Sequence, residues 1–161
     1  TSSHSGVLWK VKQRRIVYLY RITGIGTDIV SIGRISRAMD DFRERFLKKI
    51  LSPEERELLP RKGEAEFLAG RFAAKEAFLK ALGKNRGLPM NRIAILKGES
   101  GKPCLKVTAE ILSALGKAIR REAVRIHISI SHEKDSAVAF VLIEQAEEET
   151  GGLNSAESDR I

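Results

Sequence analysis

Apolar and polar positions along this chain follow two periods in turn, and the switches between them mark out its elements. Residues 22–30 form an apolar run interrupted by Gly24, Gly26 and Asp28, which predicts a strand. Over 32–49, Ile35, Met39, Phe42 and Phe46 recur at helical spacing and predict one buried face. Ser52-Pro53-Glu54-Glu55 then reads as a helix start: Ser52 is the N-cap, Pro53 takes the first position and Glu55 closes a capping box. A long helix over 64–82 ends at Gly83. Residues 93–96 and 103–107 predict two strands joined by a turn over 98–102. Thr108 caps a helix reaching about residue 122. Val124, Ile126, Ile128 and Ile130 alternate with Arg125, His127, Ser129 and Ser131, a strand with one polar face. After a turn at 133–135, apolar residues 137–143 supply the last strand. The predicted class is α+β, a mainly antiparallel sheet packed on the long central helix.

The charges of that long helix are unusual. On a wheel turning about 100° per residue, Phe67, Phe78, Leu82, Leu68, Leu79 and Phe72 fill one apolar arc, with Arg71 and Lys75 in its middle. Glu76 and Lys80 project from another side beside Ala69 and Ala73, where small neighbours leave room for a close approach. Charges inside an apolar arc are costly unless they are paired or bind a counter-ion. An anionic ligand such as a phosphate answers that cost. The alternative is that both stems pack while their heads snorkel to water, with Glu76–Lys80 an ordinary i,i+4 pair.

Composition narrows the function classes. The 161 residues make one domain with a sizeable core. No apolar run reaches the roughly 20 residues that span a bilayer, so no membrane partner is expected. The lone Cys104 follows Pro103 in an apolar strand, reads as a small buried hydrophobe and fits a reducing cytoplasm. The net charge of +8 is unevenly laid out. Residues 1–21 hold five basic side chains and no acids, whereas 144–161 hold six acids against Arg160. These flanks cancel, so the body between them carries the whole excess and expects an anionic partner. The first fifteen or so residues lack a clear period and do not open on Met; residues 1–20 read as an N-terminal extension or mis-assigned start, with a Ser-rich, basic targeting-like leader as the alternative. The domain proper spans 21–143, and 144–161 is an acidic tail whose composition predicts disorder.

Gly24-Ile25-Gly26 lacks the third glycine of a dinucleotide fingerprint. Gly98-Glu99-Ser100-Gly101-Lys102-Pro103 is too short for a P-loop and has Pro in place of Ser/Thr. Three scattered histidines make no zinc site. What remains is Asp28, an acid inside a strand that otherwise reads as buried, and Glu76 on the long helix. Asp28 pairs with a core arginine or caps the next helix; alternatively, the two carboxylates share a Mg²⁺, which accepts one or two carboxylates plus phosphate oxygens and waters. Arg71, Lys75 and Lys80 then suit the phosphates, and His132 ends the strand that carries Ser129 and Ser131.

Gly24-Ile25-Gly26-Thr27-Asp28-Ile29, the block from Phe67 to Ala77, Gly101-Lys102-Pro103 and Ser129-Ile130-Ser131-His132 occur in the order seen in holo-acyl-carrier-protein synthases. The chain resembles these small phosphopantetheinyl transferases over about residues 20–143. The resemblance implies the 4′-phosphopantetheinyl transferase fold. It also implies transfer of 4′-phosphopantetheine from coenzyme A to a serine of acyl carrier protein, releasing adenosine 3′,5′-bisphosphate. By that resemblance, Asp28 and Glu76 bind Mg²⁺ against the pyrophosphate, Lys80 helps the departing phosphate, and Arg71 and His132 contact the 3′-phosphate. Lys75, Lys102, Pro103 and Ser131 join the coenzyme A set. Arg34 and Arg37 offer a basic face to the acidic carrier; Gly33 departs from the family, which commonly has a charged residue there. The family is trimeric, with sites between neighbouring subunits. The residues leave the general base open between a metal-bound water and Glu76.

Two rivals fare worse. In a nucleic-acid module only Trp9, Tyr18 and Tyr20 interleave with cations, and Asp28 and Glu76 have no role. A silent carrier-protein binder is expected to lose one of the two acids, and both are present.

Overall fold

The computed structural model describes residues 18–83, 87–116 and 120–148. Strand β1 (Tyr18–Ser31) leads into helix α1 (Ile32–Ile50), the one-turn α2 (Pro53–Arg56) and the long α3 (Glu64–Ala81). A short hairpin of β2 (Ile95–Lys97) and β3 (Pro103–Leu105) follows, then α4 (Ala109–Leu115), β4 (Val124–His132) and β5 (Ser136–Glu148). The main sheet is antiparallel in the order β1-β5-β4, and β2 and β3 pair separately. Helix α3 lies on one face of β1 and β5.

Local chemistry accounts for the boundaries. Ser31 caps α1 by accepting from the Arg34 amide, and Lys48 and Lys49 meet the negative end of its dipole. The Ser52–Glu55 capping box forms as predicted: each side chain accepts from the other residue's amide, at 3.2 and 2.8 Å. Beyond α3, Gly83 takes a φ of 76°, the left-handed conformation glycine adopts without penalty.

Four expectations need correction. Helix α1 kinks at Phe42 (φ −144°, ψ 38°), which turns that ring out to 60 % exposure while Ile35 and Met39 stay buried. Helix α4 stops at Leu115, because Gly116 breaks it, and residues 121–123 form a separate 3-10 turn. Cys104 is exposed. Strand β5 continues to Glu148, and its partner β1 starts at Tyr18, so the cross-strand ladder takes in the inner end of each presumed flank. The rest of the expected N-terminal extension and acidic tail lies outside the described residues.

Two apolar clusters flank α3. One joins Ala73, Ala77 and Phe78 to Ile93, Ile95, Leu105, Ile111 and the inward residues of β5; the other joins Leu68 and Ala69 to Ile35, Met39, Leu47 and Ile50. The tightest packing lies between α3 and β1. A Cβ on Gly24 would overlap the carbonyl oxygen of Ala81, and one on Gly26 that of Ala77. The room beside the small residues of α3 is filled by this strand. On the opposite face of the sheet, Ile25, Ile29, Val138 and Phe140 are exposed.

Gly26→Ala is expected to lower stability by about 3 kcal/mol, since neither backbone can retreat without opening the core. Urea unfolding at neutral pH measures it; an unchanged midpoint would contradict the close approach.

Candidate functional site

Two clefts flank α3 at opposite edges of the sheet. The first, about 350 Å³, lies between β1, α1 and α3 and is lined by Asp28, Ile29, Arg34, Phe46, Phe72 and Glu76. Asp28 faces α3 because strand alternation puts it on the side of Gly24 and Gly26. Lys80, a turn beyond Glu76, donates to Asp28 Oδ1 at 2.7 Å and to the Thr27 carbonyl at 3.0 Å. Its predicted i,i+4 partner was Glu76; instead the lysine crosses to the strand. No described residue pairs with the Glu76 carboxylate. Two acids from separate elements therefore share one cavity, one of them unanswered. This donor set fits a hard divalent cation, which completes its shell with phosphate oxygens and water.

The second cleft, about 700 Å³, runs along the N-terminal half of α3 beside the end of β4 and is lined by His132; Arg71, Lys62 and Lys134 contribute positive charge there and Glu66 and Glu133 oppose it. Arg71 is 8 % exposed, with its guanidinium carbon 4.6 Å from the Phe67 ring centroid. His132 reaches the cleft because it shares the side of Ile128 and Ile130. The sequence placed it at the end of the strand that carries Ser129 and Ser131, and alternation turns those serines to the other face. Ser131 lines neither cleft. Nor do Lys102 and Pro103, which sit on the β2–β3 hairpin, or Arg37, which is exposed on α1. Arg34 does line the first cleft.

Lys75 needs a plain correction. It is 0 % exposed, so it neither snorkels to water nor meets a phosphate. Its ammonium donates to Glu55 Oε2 at 2.6 Å, to the Ile50 carbonyl at 2.6 Å and to the Met90 carbonyl at 3.1 Å, which uses all three protons. Burial pushes its pKa below the ordinary lysine value and the Glu55 carboxylate pulls it back. Burial likewise lowers Arg71, against the same carboxylate. Glu55 itself was read only as a capping-box residue. The signal that pointed to it was the cost of two cations in an apolar arc, which demands a buried acid on whatever packs there.

Comparison with known proteins bears on what these clefts serve. The sequence model described as the 4′-phosphopantetheinyl transferase superfamily matches residues 24–141. Holo-acyl-carrier-protein synthases of Maridesulfovibrio salexigens and Chlorobaculum tepidum are 43 % and 46 % identical to it, across 77 % and 74 % of this chain and 99 % and 97 % of theirs. The chain belongs to the holo-acyl-carrier-protein synthases. Solved structures of that family share the fold. The Bacillus anthracis synthase, in complex with CoA (3′,5′-ADP), has a TM-score of 0.62 and 35 % identity, over 77 % of this chain and 97 % of its own. The Helicobacter pylori synthase, in complex with coenzyme A, has 0.63 and 34 %, over 74 % and 98 %. As a holo-acyl-carrier-protein synthase the chain is a phosphopantetheinyl transferase.

Lys75→Met is expected to cost about 3–5 kcal/mol, because it leaves the Glu55 carboxylate buried without its cation. Thermal and urea unfolding of the ligand-free protein read this directly; a variant of unchanged stability would return Lys75 to the ligand-binding set.

Proposed function

We propose that this chain transfers the 4′-phosphopantetheine group of coenzyme A to a serine of an apo acyl carrier protein and releases adenosine 3′,5′-bisphosphate. The observation that carries this is the Asp28–Glu76 pair, with Glu76 unanswered, in a cavity that Arg34 also lines. The serine oxygen forms a bond to the pantetheine-bearing phosphorus and gives up its proton to water or to Glu76, as the bond from that phosphorus to the bridging oxygen breaks and the bisphosphate leaves with that oxygen. Asp28 and Glu76 would hold Mg²⁺, which when bound offsets the charge of the pyrophosphate. Lys80, tethered at Asp28 with more than half of its side chain exposed, meets the charge that grows on the leaving bisphosphate. Arg71 and His132 take the 3′-phosphate. Arg34 and Arg37 on α1 present positive charge beside the first cleft, where an acidic carrier protein docks and delivers its serine. The exposed, unpaired Cys104 suits a reducing cytoplasm.

The two clefts share no lining residue and lie at opposite edges of the sheet. One coenzyme A molecule therefore bridges two chains, the adenosine 3′-phosphate on the Arg71 cleft of one and the pyrophosphate on the Asp28–Glu76 cleft of the next. A homotrimer closes such a head-to-tail contact into a ring. The exposed row of Ile25, Ile29, Val138 and Phe140 is the apolar surface such an assembly covers.

Incubation of an apo carrier protein with this protein, coenzyme A and Mg²⁺ is expected to add the phosphopantetheine mass, read on the intact carrier. Asp28→Asn and Glu76→Gln should each slow that gain about a hundredfold or more with the circular dichroism spectrum retained; full activity in either overturns the assignment. Mixing refolded Glu76→Gln and Arg71→Ala chains, each inactive alone, is expected to restore part of the rate. A mixture as inactive as its components would place both clefts' work within one chain.

A further inference from the structure

We propose that Glu55 is a positioning residue for the anion-binding arginine: its buried carboxylate fixes Arg71 at the floor of the second cleft and sets the protein's preference for a 3′-phosphorylated adenosine. The inference rests on the reading that this cleft takes the 3′-phosphate, and concerns what makes it selective.

Glu55 is 0 % exposed, and its carboxylate is held from three elements. Oε2 accepts from the Ser52 amide at 2.8 Å and from Lys75 on α3 at 2.6 Å; Oε1 accepts from the Ile95 amide of β2 at 3.1 Å. The carboxylate therefore has no freedom to follow Arg71; the arginine must come to it. Arg71 Nε lies 3.8 Å from Oε1, too far for a hydrogen bond, and is buried without a hydrogen-bond partner. The guanidinium is thus held behind by a fixed charge and at the side by the Phe67 ring, while its side chain lines the cleft. One carboxylate faces two cations, so the cluster keeps an excess positive charge. An incoming phosphate is the group that completes it.

Charge and position can be separated. Replacing Glu55 with glutamine removes a negative charge, so electrostatics alone would hold or raise anion affinity. If Glu55 works by placing Arg71, the affinity falls instead.

The test is equilibrium binding of adenosine 3′,5′-bisphosphate and adenosine 5′-monophosphate to the full-length protein, whose ratio isolates the 3′-phosphate. The natural protein is expected to prefer the bisphosphate at least tenfold. Glu55→Gln should cut that preference about fivefold, with monophosphate affinity within twofold of its starting value. An undiminished preference, or equal losses on both nucleotides, overturns the positioning role. Should Glu55→Gln fail to fold, Glu55→Asp keeps the charge but withdraws it by one methylene; about a threefold loss of preference is expected there, and an unchanged ratio overturns the proposal. A natural protein that does not distinguish the two nucleotides overturns the reading of the cleft itself, and this proposal with it.

Discussion

The functional geometry depends on how closely β1 lies against α3. Side chains at Gly24 and Gly26 would collide with main-chain carbonyl groups of the helix, so their absence sets the separation of the two elements. At that separation, Asp28, two residues beyond Gly26 on the same side of the strand, comes beside Glu76 and within salt-bridge range of Lys80. With ordinary side chains in place of the glycines, strand and helix would stand further apart, and the carboxylates with them. The glycine pair that resembles half a nucleotide-binding fingerprint is a packing device, and it serves the chemistry by distance alone.

On the other side of α3, the buried Glu55–Lys75 pair ties four pieces of chain together: the cap of α2, the end of α1, the turn at Met90 and strand β2. An ion pair this deep gains little over a well-packed apolar core, because desolvation offsets most of the attraction. Its directional bonds nevertheless allow only one arrangement of those pieces. The second cleft takes its floor from this knot, and Arg71 is the member of the charged cluster that reaches the surface.

Taken alone, the chain has its acidic and basic clefts at opposite edges of one sheet, a division that makes sense for a ligand with phosphates at separated points. It also leaves an apolar sheet face bare. Under the proposed function, a neighbouring copy would answer both.

Much of this was legible in the sequence. Alternation, caps and breakers act over a few residues, so the strands, the capping box at Ser52 and the end of α3 at Gly83 could be read directly, and the ordered blocks around Asp28, Arg71, Glu76 and His132 marked the family. Phe42 could not be placed, because the kink in α1 overrides the helical period. The sequence could also count the charges of α3 without assigning their partners. Lys80 turned from Glu76 to Asp28, 52 residues away, and Lys75 from a phosphate to Glu55, 20 residues away. By itself the sequence determined which residue types were present and which local elements they form, since both depend on near neighbours. Only the tertiary structure decided which cations are spent inside the protein and which remain for a ligand, because desolvation and Coulomb attraction depend on distances that exist only once the strand has closed on the helix.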